Sequence, residues 1–364
     1  MKTISIALTV ALCFPLSLSA WQLSPTGTTI ERSLSNRTAT WYEKIFSETA
    51  VVGVHVIGDS VHEEITNRTL GCQGVGDVCA KPDHDPDFAY YIAGVRWNDD
   101  PPFKFNSGEG NYKGCNVKDT VRLVTQPYCW KEVFKSSEKL AASGKIFDGS
   151  NATLLVRSHF GDMQFLHAMA TKVGEAPEVT QKRIMAWAQF TWNVAMNALP
   201  LDSNVVSLPI VGFDTLFNHN KGWRIQDLLA LGNPQIRKPD RINRVAFGSM
   251  LHVVQDSFAG GHVERLEPVT GKVCPGSNLA APGKIVEFHS YSGQDHDKHG
   301  DGDNRGAFER HFSDISPGAI DVGQELHKMF LAKAQWETVA PYLECVFAID
   351  GQARNSSAGI GYGR

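Results

Sequence analysis

Apolar residues recur at helical spacing along most of this chain. In Val179–Leu199 they fall at Ile184, Trp187, Ala188, Phe190, Trp192, Val194 and Ala195, which predicts a long helix. Arg241–Phe258 carries a second such stripe. A last helix fits Ala319–Trp336, with Val322, Leu326, Met329 and Phe330 on one face. Shorter helical patterns cover 131–144 and 159–172. Residues 38–70 read as two helical stretches, the second running from about Asp59 to Leu70. Alternation of the strand type is scarce, and only Lys284–Phe288 suggests a strand. The expectation is a mainly α fold.

Two regions break the pattern. Residues 71–130 are rich in Gly, Pro, Asp and Cys with few periodic apolar runs, and read as a long irregular excursion stapled by disulfides. From Glu264 to Arg305 the chain is polar and glycine-rich apart from the predicted strand. There is no internal repeat and no low-complexity tract.

The first twenty residues change the picture. Lys2 precedes an apolar run from Ile4 to Leu18 that is too short to span a bilayer, and Ser19-Ala20 offers a small-residue cleavage site. The expectation is a signal peptide over 1–20, cut between Ala20 and Trp21, and a secreted or periplasmic product. The remaining 21–364 is long enough for one large domain. Seven cysteines become six once Cys13 leaves: Cys72, Cys79, Cys115, Cys129, Cys274 and Cys345. An even number in an exported chain favours disulfides. Cys72–Cys79 and Cys115–Cys129 are the natural local pairs, although six cysteines allow fifteen pairings. A cysteine-based zinc site competes weakly, because no Cys-x-x-Cys occurs. The formal charge of −4 gives no electrostatic grip on nucleic acid or an anionic membrane.

Candidate chemistry centres on Leu251-His252-Val253-Val254-Gln255-Asp256-Ser257-Phe258-Ala259-Gly260-Gly261-His262. His252 and Asp256 stand four apart, so a helix places both on one face, able to share a metal ion. The Ala-Gly-Gly that follows ends the helix and frees His262 for a neighbouring ion. His62 opens His62-Glu63-Glu64-Ile65-Thr66-Asn67-Arg68-Thr69-Leu70, where its plain reading is a first-turn surface histidine. Asp99 and Asp100 lie in Arg96-Trp97-Asn98-Asp99-Asp100-Pro101-Pro102, by composition a turn. His159 sits in Ser158-His159-Phe160. The stretch from Phe288 to Asp303 is dense in His and Asp. A calcium-binding aspartate loop would explain part of it, but the string lacks a full twelve-residue calcium loop.

Together these pieces resemble the zinc-dependent phospholipase C family, bacterial enzymes of the phosphatidylcholine type related to the fungal single-strand-specific zinc nucleases. The resemblance rests on Trp21 directly after the cut, the run His62 to Leu70, Asp99 with Asp100 beside it, and Ser158-His159-Phe160. It rests also on the set His252, Asp256 and His262, and on His299 with Asp303 four residues on. It spans Trp21 to Asp303. Spacings depart from the family, and the extra length before His159 reads as a peripheral Cys-rich insertion over about 71–158.

The resemblance implies a single catalytic domain over 21–364, a helical bundle of the zinc phospholipase C and single-strand nuclease type with a long disulfide-stapled insertion. It implies three zinc ions. Asp99, His159, His252 and Asp256 would hold one; Trp21, His62 and the shared Asp256 another; His262, His299 and Asp303 the third. His289 and Asp295 are the alternatives to His299 and Asp303, and Asp100 to Asp99. Asp99 would also orient or deprotonate the attacking water. The implied substrate is a phosphatidylcholine-like phospholipid met at a membrane surface, cleaved to diacylglycerol and a phosphorylated headgroup, with no nucleic-acid partner. A single-strand nuclease and a non-enzymatic metal-holding binding module remain the other readings.

Overall fold

The computed structural model describes residues 60–72, 79, 85–105, 115–116, 119–231, 233–295, 298–299, 306–309 and 316–364, together with Leu23, Ser24, Gly27, Thr28, Ile30 and Val54. The expected signal segment, Trp21, Asp303 and the first helical stretch of 38–70 lie outside these residues.

Helix α1 (Val61–Thr69) and helix α2 (Phe88–Val95) come first, then α3 (Pro127–Ala142) and the short α4 (Leu154–Phe160). The long α5 (Pro177–Ala195) is followed by the short helices α6 (Phe213–Leu216) and α7 (Ile225–Ala230), then by α8 (Pro239–Asp256). Strands β1 (Val263–Arg265) and β2 (Ile285–Phe288) pair antiparallel, with Val263 opposite Phe288 and a bulge between Glu264 and Arg265. Helices α9 (Ala319–Leu331) and α10 (Trp336–Val346) close the fold. The expectation of a mainly helical chain and of a strand near 285 holds, whereas its partner Val263–Arg265 was not expected.

Helix α8 is the axis. Pro239 occupies its first turn, where the missing N–H costs nothing. From Val245 to Asp256 every residue is buried, so this helix is enclosed rather than amphipathic over its second half. It packs against α2, α5, α1 and α9. The approach to α2 is unusually close: a Cβ on Gly94 would sit 2.3 Å from the Val245 carbonyl oxygen, and one on Gly248 2.3 Å from that of Tyr91. Only glycine at both positions lets the two backbones touch.

That contact corrects the reading of 71–130 as irregular and peripheral. The octapeptide Phe88-Ala-Tyr-Tyr-Ile-Ala-Gly-Val is apolar all round and so shows no helical stripe, yet it forms a helix buried against the axis. The predicted helix over 159–172 is also replaced. Helix α4 ends at Phe160, and a 3-10 turn spans Gln164–His167. The chain leaves α4 at Gly161, whose backbone is extended, and only glycine fits there because a Cβ would lie 2.7 Å from the Phe147 carbonyl oxygen. The last predicted helix, Ala319–Trp336, ends earlier, at Leu331, and the helix from Trp336 to Val346 lies beyond the predicted span.

Two large apolar clusters result, beside a small third one of Cys72, Cys79, Phe88 and Ile92. The larger surrounds α5 and α8, with the Trp97 and Trp187 rings stacked at 5.4 Å. The second gathers Phe103, Val121, Leu123, Trp130, Phe134, Leu155 and Phe160 around α3 and α4. Cys72–Cys79, Cys115–Cys129 and Cys274–Cys345 are disulfides, so the two local pairs are as expected and no cysteine among these is left for a metal. No helix among the described residues is long and apolar enough to cross a membrane.

Candidate metal centre

Four segments meet at one carboxylate. Asp256, at the end of α8, has His252 one turn back with Nε2 at 2.9 Å from Oδ2. His62 of α1 brings Nε2 to 3.3 Å from Oδ1. His262, beyond the Gly260-Gly261 turn, brings Nδ1 to 3.5 Å from Oδ2. His167, at the end of the 3-10 turn, brings Nδ1 to 3.0 Å from the same oxygen and 3.0 Å from His252 Nε2. All are buried.

Asp99 enters from the segment after α2, and its position is built by its neighbours. Asn98 donates to the carbonyls of Leu166 and Ser249, and accepts from the Ser249 hydroxyl at 2.6 Å. Arg96 pairs with Glu63 at 2.6 Å, tying the end of α2 to α1. Asp99 Oδ1 then lies 3.6 Å from His167 Nδ1 and 3.7 Å from His159 Nε2, and Oδ2 lies 3.9 Å from His252 Nε2. Asp100 turns the other way, accepting from the Leu123 N–H at 3.0 Å and pairing with Arg122 at 3.3 Å. Of the adjacent pair, Asp99 faces the cleft.

The imidazoles are oriented from behind. His252 Nδ1 faces the Val95 carbonyl at 2.7 Å, His62 Nδ1 the Gln255 side-chain oxygen at 2.7 Å, and His159 Nδ1 the Leu155 carbonyl at 2.9 Å. An Nδ1–H donated to each oxygen leaves Nε2 as the lone-pair atom, and a metal ligand is commonly held in this way. Gln255 is itself fixed, donating to the Thr66 hydroxyl at 2.9 Å.

Charge within the cleft is coupled. Burial raises the Asp99 carboxyl, but His252, His159, His167 and His62 outweigh it and hold the group below the ordinary carboxylate range. Burial likewise opposes ionisation of Asp256, and His252, His262, His62 and His167 hold it well below that range. Burial lowers His62, yet Asp256, with help from Asp99 and Gln255, lifts it to about 9. For His167 burial prevails over Asp256 and Asp99, and its pKa falls to about 4. Two carboxylates therefore stay ionised in a buried site, the condition for holding a cation.

Two sets of side chains each place three ligand atoms within 4.8 Å of one another: His62, His252 and Asp256, and Asp99, His167 and His252. The fit to a metal is tested by polar atoms left over. Asp99 Oδ2, Asp256 Oδ1, His159 Nε2 and His167 Nε2 are buried with no hydrogen-bond partner among the described residues. Buried polar atoms are seldom left so. Four lining one cleft, all imidazole nitrogen or carboxylate oxygen, are donors that a metal ion could satisfy.

The sequence-derived residues fare as follows. His62, Asp99, His159, Asp256, His262 and His299 line one cleft together with His167, Met169 and Tyr291, and the fully buried His252 stands behind that lining against Asp256 and Asp99. His299 stacks on His262 with ring centroids 5.0 Å apart. His289, the alternative to His299, is not among the residues lining the cleft; its Nδ1 lies 3.1 Å from the Gly261 carbonyl, and Gly359 is packed against its ring. The Asp295 carboxylate accepts from the Lys298 N–H at 3.1 Å, a turn-forming role. His167 was missed. His159 approaches Asp99, whereas His167 stands at hydrogen-bond distance from both Asp256 and His252. The available signal was Gly161, which interrupts the expected helix and allows a second histidine to return to the same point.

Comparison with known protein families, with characterised proteins and with solved structures returns no match to this chain. Fold and site define a class all the same: a mainly helical, disulfide-linked protein with a buried His/Asp group able to hold a metal ion.

Proposed function

We propose that this protein is a secreted zinc-dependent phosphodiesterase, a phospholipase C acting on phosphatidylcholine-like lipids at membrane surfaces. The observation that carries the reading is the convergence of His62, His167, His252 and His262 on Asp256, with Asp99 alongside. Zinc held by these residues would neutralise the charge of a phosphodiester and lower the pKa of water to roughly 7.

The chain's own residues do the rest. Asp99, kept ionised by the surrounding imidazoles, would accept a hydrogen bond from the attacking water and orient it. The carbonyl of Val95 and the amide of Gln255 keep His252 and His62 from rotating away. Met169 and Tyr291 share the cleft wall with the ligands, giving it an apolar side suited to an amphipathic substrate.

The test is release of phosphorylated headgroup from phosphatidylcholine vesicles, with metal content measured on the same protein. Activity abolished by a chelator and restored by zinc supports the reading. His167→Ala should lose metal and activity together. Release of nucleotides from single-stranded DNA instead would transfer the site to a nuclease, and neither activity with zinc bound would favour a binding module.

A further inference from the structure

A second cavity, of about 200 Å³, is lined by Lys104, Thr153, Arg157, His219, Lys221 and Trp223 among others. It shares no lining residue with the metal cleft. Its walls are the turn at 148–153, the start of α4 and the loop 217–223.

The cavity is kept open, and part of its charge is not committed to an ion pair. A Cβ on Gly149 would stand 3.2 Å from Arg157 Nη1 and 3.5 Å from His219 Cβ, so the glycine leaves space between the two walls. Arg157 is a fixed wall rather than a free donor. It is buried, forms a two-pronged pair with Asp162 at 2.8 and 2.9 Å, and donates to Leu216 and Asn220. Lys104, His219 and Lys221 are exposed at the rim, and no carboxylate among the described residues forms an ion pair with any of them. Asp148, the acid that senses His219 and Arg157, accepts from the Ser150 N–H at 2.8 Å. Thr153 lines the same cavity, and its hydroxyl oxygen is buried without a hydrogen-bond partner among the described residues.

We propose that this cavity binds a phosphate-type oxyanion, such as a phosphomonoester or the headgroup of an acidic phospholipid carries. Lys104 and Lys221 supply the charge, His219 a ring N–H and Thr153 a hydroxyl donor. A compact, strongly hydrated ammonium is suited to this role, and a hydroxyl freed from any internal acceptor can turn its proton to the anion.

The experiment is titration of the full-length protein with inorganic phosphate at fixed ionic strength, followed by calorimetry. Saturable binding is expected, weakened about tenfold or more when Lys104→Ala and Lys221→Ala are combined, since two charge-assisted contacts are lost. Thr153→Val, which removes one hydroxyl and keeps the shape, should weaken it several-fold, and Lys104→Arg with Lys221→Arg should preserve it. Asp256→Asn, which damages only the metal cleft, should leave this binding intact. Absence of saturable binding overturns the proposal, as does binding lost in Asp256→Asn and unchanged in the double alanine variant. Flotation with vesicles containing phosphatidic acid separates the sources. Capture that needs both lysines and is displaced by phosphate assigns a lipid headgroup. Phosphate binding without vesicle capture assigns a soluble phosphoester. Both uphold an oxyanion site.

Discussion

Replacing Gly94 by alanine tests whether the close approach of α2 to α8 positions the metal centre. The added methyl would lie 2.3 Å from the Val245 carbonyl oxygen, 2.8 Å from Val245 Cα and 2.9 Å from Gly248 Cα. Ordinary contact begins at 3.4 Å, so the helices must separate by 3.4 − 2.3 = 1.1 Å. The obstacle is backbone on both sides, and no rotamer change relieves it. Overpacking of this kind costs about 1–3 kcal/mol, and here the upper end is expected. The site shares the displacement. His252 Nδ1 sits 2.7 Å from the carbonyl of Val95, the residue after Gly94, and a shift of this size carries the pair beyond hydrogen-bond reach. Loss of a partner that orients a ligand typically weakens metal binding about 10–100-fold. Urea unfolding of the chelated protein, with zinc titration of the same sample, measures both effects. Gly351→Ala, where a Cβ meets nothing within 4 Å, serves as control and should change neither. An alanine at 94 with unaltered unfolding midpoint and unaltered zinc affinity would refute the argument.

Three further outcomes are expected. Asp256→Asn should lose at least about one metal ion per chain by elemental analysis, because the neutral amide is a poor ligand and a carboxylate facing four imidazoles is removed. Removing the Cys274–Cys345 disulfide by double alanine substitution should cost about 4 kcal/mol in denaturant unfolding, since it closes a loop with a sequence separation of 71. Acid sensitivity has an identifiable contributor in Asp85. Burial raises its carboxyl, but the bonds from Arg244, the Asp87 N–H and Tyr91 prevail and hold it below its ordinary value. A depressed folded pKa gives stability that is present above the unfolded value of about 3.9 and is lost as pH falls through the folded one. The stability gap between wild type and Asp85→Asn should therefore narrow below about pH 4, and a gap constant from pH 7 to pH 3 would exclude Asp85 as its source.

What could be read from the chain, and what could not, divides along a physical line. Helix α8 was legible because His252 and Asp256 stand four apart on a helix whose boundaries are marked by Pro239 and Gly260-Gly261, all local features. Cys72–Cys79 and Cys115–Cys129 were legible for the same reason, whereas Cys274–Cys345 joins segments that only the fold brings together. Helix α2 escaped because burial on every side erases the periodicity by which a helix is recognised. Asp99 could not be separated from Asp100 by composition; the choice is made by Leu123 and Arg122, which engage Asp100 and leave Asp99 facing the cleft. His167 is the clearest case. It reaches Asp256 because α4 stops at Gly161, a 3-10 turn follows, and Ala168 adopts the left-handed conformation with φ of 51°. The His167 carbonyl then faces His262 Nδ1 at 2.6 Å, so one residue offers its ring to the centre and its backbone to a neighbouring ligand. A histidine placed by such a turn has no period in the sequence. Its role comes from the same backbone break that removed it from the predicted helix, and for that reason breaks between predicted helices are where further ligands should be sought.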